Sequence, residues 1–173
     1  EGLARANGYE QSLAVGFELV PEADARLGSV EASVLLGVCR HICIPVQGKL
    51  TASEADDGIV RAAFAALPAT GTAAGAIVSA GLFADMLTVT VAGAEKDSSA
   101  APPSDADLFV SGPEGWYFGE PEAPARQDGE LVFSVPVLER PRGETGPPER
   151  VDVVFTEGAD AVEAKGLKVT ASP

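Results

Sequence analysis

Residues 30–45 read Val30-Glu31-Ala32-Ser33-Val34-Leu35-Leu36-Gly37-Val38-Cys39-Arg40-His41-Ile42-Cys43-Ile44-Pro45. Val30, Ala32, Val34, Leu36 and Val38 alternate with their neighbours, the period of a half-buried strand. The run leads directly into Cys39. On a straight strand, residues four apart are separated by about 13 Å, at ~3.3 Å per residue. A disulfide needs Cα atoms roughly 4.4–6.8 Å apart. If the two cysteines meet, the chain must reverse over Arg40, His41 and Ile42. A three-residue hairpin loop does this and leaves Cys39 facing Cys43 across two antiparallel strands. A single helical turn would also bring them close, but the β-branched, Pro-interrupted residues 42–46 disfavour it.

The same period recurs outward from this stretch. Leu13, Val15, Phe17 and Leu19 alternate before it. Leu87, Val89 and Val91, then Leu131, Phe133, Val135 and Val137, then Val151, Val153 and Phe155, alternate after it. Residues 108–110 and 167–169 are shorter candidates. About eight strands with turn residues between them predict an all-β sandwich. One short helix is expected. Ser53 can cap it, Glu54, Asp56 and Asp57 suit its first turn, and Ile59, Val60, Ala63, Phe64 and Leu67 share a face until Pro68 stops it. Residues 95–107 and 140–149 read as polar or proline-broken loops, neither long enough to separate two domains.

Composition narrows the function classes. A chain of 173 residues with 46% hydrophobic content supports one domain with its own core. A formal charge of −14 argues against nucleic acid, which needs clustered Lys and Arg, and against docking on anionic lipid. Residues 62–84 carry no charge and are long enough to span a bilayer. Pro68, Gly71, Gly75 and Gly81, with alanine as the main apolar residue, argue against insertion. The chain opens at Glu1 with no basic and apolar leader, so a secretory signal is expected to have been removed or to lie upstream.

The two cysteines, four positions apart, carry the chemistry. Such a pair closes a very short loop and removes little chain entropy, which weakens a purely structural reading. Tight, exposed disulfides are the labile ones. Arg40 and His41 can place positive charge beside the thiols and favour thiolate, the attacking form. Pro45 cannot donate a ladder hydrogen bond and marks an edge strand or bulge, where a partner protein can approach. Three readings meet here: a pair that exchanges electrons, a structural disulfide, and a copper(I) site of Cys39, Cys43 and His41. The three ligands do not close a tetrahedral zinc site. No cofactor is called for by the exchange reading. Tyr9, Ile44, Pro45, Trp116, Tyr117 and Phe118 are candidates to shield the pair or dock a partner, since aromatic residues favour interfaces. Ordinary packing is the preferred reading for Tyr9 and for Trp116, Tyr117 and Phe118.

The string Val38-Cys39-Arg40-His41-Ile42-Cys43-Ile44-Pro45, followed by Gly48-Lys49-Leu50, resembles the amino-terminal periplasmic (alpha) domain of the DsbD thiol:disulfide interchange proteins. It is most similar to the copper-sensitivity suppressor (ScsB-type) branch and its stand-alone periplasmic relatives. Gly8-Tyr9, Phe64-Ala65-Ala66-Leu67-Pro68, residues 108–119 and residues 133–138 extend the likeness over most of the chain. The resemblance implies one immunoglobulin-like β-sandwich domain over residues 1–173, in the periplasm, and leaves open a segment upstream of Gly8-Tyr9 that relatives carry. It implies a protein-disulfide-reductase type of oxidoreductase in which Cys39 and Cys43 cycle between dithiol and disulfide. Cys43 would form the mixed disulfide and Cys39 would resolve it. Partners would be thioredoxin-like periplasmic proteins or a membrane electron carrier, in settings such as cytochrome c biogenesis or copper tolerance. The best-known DsbD domains place five residues between the cysteines, where this chain has three. This chain has no further cysteine pair to continue a relay.

Overall fold

The computed structural model describes residues 14–20, 28–39, 42–51, 57–70, 77–92 and 102–171. The chain divides into two compact units, Glu1–Leu67 and Pro68–Pro173. The described residues are all-β with one short helix, as the alternating pattern predicts.

In the first unit, β1 (Glu31–Cys39) and β2 (Cys43–Thr51) form an antiparallel hairpin. The helix α1 (Asp57–Ala65) follows, with Asp57 in its first turn. Ala66 N–H bonds the carbonyl of Ala62 at 3.1 Å, and the helix ends before Pro68, whose ring cannot continue it. The predicted cap at Ser53 lies outside the described residues. The strand expected around Leu13, Val15, Phe17 and Leu19 does not form over residues 14–20. Alternation specifies two faces, but a strand exists only where a neighbour completes its ladder, and none pairs with this segment among the described residues. Gly16 instead lies against the ring of Phe64: a Cβ there would sit 2.9 Å from Phe64 Cε2.

The second unit is a two-layer sandwich. One layer is built from β4 (Ile77–Phe83), β5 (Met86–Ala92) and β9 (Glu130–Glu139), with β7 (Tyr117–Phe118) and β8 (Ala125–Gln127) along β9. The other is built from β6 (Ala106–Ser111), β10 (Arg150–Glu157) and β11 (Asp160–Ala171), with β3 (Ala69–Thr70) on β11. The alternating residues named from sequence fill the space between the layers. Leu87, Val89, Val91, Leu131, Phe133 and Val135 come from the first layer, and Leu108, Val151, Val153 and Phe155 from the second. Phe133 meets Phe155 edge-on, with ring centroids 5.9 Å apart, a favoured aromatic geometry.

β11 joins the layers. Its first part pairs with β10, and Val169–Ala171 pair parallel with β4. The register slips between Val151 and Val153. The extra residue is accommodated around Gly166, at φ +61°, a value that glycine adopts without a Cβ clash. Asp152 Oδ1 accepts from Gly166 N at 2.6 Å, and Arg150 donates to the Gly166 carbonyl at 2.8 Å. A bulge of this kind bends a strand and lets it pass from one sheet to the other.

Among the described residues, four of the eleven strands fall outside the sequence expectation. β3, β7 and β8 hold two or three residues each, too few to show a period. β4 falls in the uncharged stretch weighed above as a membrane span, where small residues blur the alternation. Among the described residues, no helix is long and apolar enough to cross a membrane. Phe133→Ala removes a fully buried ring at the layer junction. It is expected to lower the unfolding free energy by about 3–5 kcal/mol, read from urea denaturation. A loss below about 1 kcal/mol would mean that the two layers do not meet at Phe133.

Candidate redox site

The register places Cys39 opposite Cys43, and the two are disulfide-bonded, with S–S 2.07 Å and Cα atoms 4.0 Å apart. The reversal takes three residues, as the hairpin reading requires. Ile42 is described, whereas Arg40 and His41, the candidates for tuning the thiols and for completing a copper site, lie outside the described residues. Tyr9 also lies outside them. Both cysteines are exposed.

Antiparallel strands alternate close pairs, near 4.5 Å, with wide hydrogen-bonded pairs, near 5.5 Å. The cysteines form a close pair. Two positions along, so do Gly37 and Pro45. In a close pair the backbone N–H and C=O turn away from the partner strand. Pro45 therefore forfeits no hydrogen bond within the hairpin, which explains its place inside β2.

Directly opposed residues share a face. The cysteines share theirs with Gly37 and Pro45, Leu35 and Gln47, and Ser33 and Lys49. Lys49 Nζ pairs with Glu31 Oε1 on this face at 3.0 Å. The opposite face is apolar: Val38 with Ile44, Leu36 with Val46, and Ala32 with Leu50. Gly37 was not singled out from sequence, yet a Cβ on it would lie 3.9 Å from Cys39 Sγ. Glycine leaves that side of the sulfur open. The signal for it was the register itself, which follows once Cys39 is set against Cys43.

The aromatic candidates belong to the second unit. Trp116 is only 7% exposed and belongs to that unit's core. Its ring stacks on Phe118 with centroids 6.3 Å apart, and the Arg140 guanidinium lies 5.4 Å from its centroid. Arg140 is held by an ion pair with Asp85 and donates to the Ala84 carbonyl at 2.9 Å. Tyr117 is exposed. Among the described residues, no charged or polar side chain is buried, and no group of three or more His, Cys, Asp or Glu side chains is placed to hold a metal.

Among solved structures, the chain is similar to the N-terminal periplasmic domain of ScsB from Proteus mirabilis, with a TM-score of 0.59 and 17% sequence identity. The chain has the fold of that domain. The match covers 83% of this chain and 58% of the ScsB domain, so the chain spans less than two thirds of its neighbour's length. The immunoglobulin-like, DsbD-like architecture expected from the cysteine string is thereby found in the tertiary structure. No protein-family model matches the chain, and no curated protein matches it.

A ring closed by a separation of four residues constrains the unfolded chain weakly. The loop-entropy relation gives about 2 kcal/mol, against ~3 kcal/mol for a 15-residue loop. Reducing the pair, or replacing both cysteines by serine, is therefore expected to lower stability by about 2 kcal/mol with the far-ultraviolet circular dichroism retained. Unfolding on reduction would instead make the disulfide a structural staple.

Proposed function

We propose that the chain is a periplasmic thiol:disulfide exchange domain that passes electrons through Cys39 and Cys43. The observation that carries this reading is a bonded, exposed cysteine pair at the tip of a hairpin, set in the fold of a ScsB periplasmic domain. A structural disulfide would be worth more across a longer loop and is usually covered by side chains. This one is short-looped and open.

Exchange runs as two displacements at sulfur. In the reduced chain, the Cys43 thiolate attacks one sulfur of a partner disulfide. A mixed disulfide forms and the partner's other sulfur leaves as thiolate. The Cys39 thiolate then attacks Cys43 Sγ. The Cys39–Cys43 bond forms, the mixed disulfide breaks, and the partner departs with both its sulfurs reduced. Two electrons and two protons have moved to the partner, and the chain is left as the disulfide. A thioredoxin-like protein or a membrane carrier restores the dithiol by the reverse displacements. The close Cα spacing of Cys39 and Cys43 keeps the resolving sulfur beside the mixed disulfide, so the second step is intramolecular. Arg40 and His41, which separate the cysteines in sequence, supply positive charge that favours the attacking thiolate.

Equilibration with glutathione or dithiothreitol is expected to give a reversible two-electron potential between about −270 and −120 mV. A pair that stays oxidised below about −300 mV belongs to the structural class and overturns the reading. Reduced Cys39→Ser, incubated with periplasmic extract, is expected to accumulate mixed disulfides through Cys43, and Cys43→Ser to accumulate none. The opposite pattern would exchange the roles of the two sulfurs.

A further inference from the structure

Gly37 sits inside β1, where a glycine weakens the strand because it has no side chain to pack. Three structural demands can hold a glycine in such a place: a left-handed φ, a bulge, or another group pressed against the backbone. None operates within the hairpin. The φ of Gly37 lies outside the left-handed range. The register runs without a shift from Glu31 opposite Thr51 to Cys39 opposite Cys43. The ring of Pro45, directly opposite, does not come within 4 Å of the place a Cβ would take. Among the hairpin's described residues, the one atom that such a Cβ would meet within that distance is Cys39 Sγ, at 3.9 Å.

We propose that Gly37 is a positioning residue for the exchange, keeping free the space into which the Cys39 sulfur withdraws when the disulfide opens. This rests on the exchange reading above and adds a residue to its machinery. When an incoming thiolate attacks Cys43 Sγ, a new S–S bond forms there and the Cys39–Cys43 bond breaks. Cys39 Sγ leaves with the electron pair and takes a proton from water. Bonded and non-bonded sulfurs differ in separation by about 1.5 Å. Residue 37 is the neighbour of Cys39 on the same strand and the same face, because side chains alternate. A Cβ there is in ordinary contact with the bonded sulfur, so the disulfide tolerates it. The same Cβ leaves no room for a sulfur that moves toward it, since packed atoms do not yield by an ångström without strain. A side chain at position 37 therefore burdens the opened pair and spares the closed one.

The test reduces the oxidised full-length chain with dithiothreitol, a thiol small enough to need no docking surface, and follows both the rate and the dithiol–disulfide equilibrium. Gly37→Ala is expected to lower the second-order rate constant about threefold and Gly37→Val about tenfold, as the added volume grows. The equilibrium of Gly37→Val is expected to move about tenfold toward the disulfide, which is a potential ~30 mV more negative. A gain in strand propensity alone would move neither quantity. Gly48→Ala supplies the control. Gly48 lies on the other face of the hairpin, opposite Val34, where a Cβ would sit 3.8 Å from Val34 Cγ2. Its rate and equilibrium are expected to stay within about twofold of wild type. Unchanged rates and equilibria in both Gly37 variants overturn the proposal. So does an equal loss in Gly48→Ala, which would trace the effect to the strand rather than to room at the sulfur. A wild type that dithiothreitol does not reduce overturns the exchange reading itself, so the two failures are read from different proteins.

Discussion

The antiparallel register of β1 and β2 sets Cys39 against Cys43, and the disulfide depends on that one register. A shift by one residue would send the sulfurs to opposite faces, because side chains alternate along a strand. In the observed register the sulfurs meet, Gly37 and Pro45 flank them on the same face, and Val38 and Ile44 fall on the other. One pairing thus divides a disulfide-bearing face from an apolar face.

The disulfide that marks the register closes a loop too short to constrain the unfolded chain strongly. Stability in the second unit comes from a dry interior in which the described buried residues are all hydrophobic. Valine and leucine side chains from β5, β9, β6 and β10 fill it, with Trp116, Phe133 and Phe155 as the large members. β11 holds the two layers together by changing partners from β10 to β4 past the bulge at Gly166. A pair whose loss costs the fold little is free to open and close during exchange, whereas a staple is not.

The aromatic segment illustrates how composition and role separate. Trp116, Tyr117 and Phe118 are the kind of residues that partners favour. In the structure, Trp116 is spent on the core, its ring stacked on Phe118 and close to the Arg140 guanidinium, which is itself tied to the turn at Ala84 and Asp85. Tyr117 alone of the three projects to solvent. Adjacent residues on a strand point to opposite faces, so three consecutive aromatics cannot all serve one surface.

Alternation in the one-dimensional chain determined the strands around Val34, Val89, Phe133 and Val153, because a period of two is a local property of each segment. It also determined the hairpin, because two sulfurs four residues apart can bond only across a turn. The proposed exchange site was legible for the same reason: its two sulfurs lie within five residues of each other. Long-range pairing was not legible. That residues 14–20 lack a ladder and that β4 is a central strand depend on neighbours distant in the chain. The tertiary structure alone decided these, since a strand needs a partner's hydrogen bonds and a core position needs surfaces from other elements to exclude water.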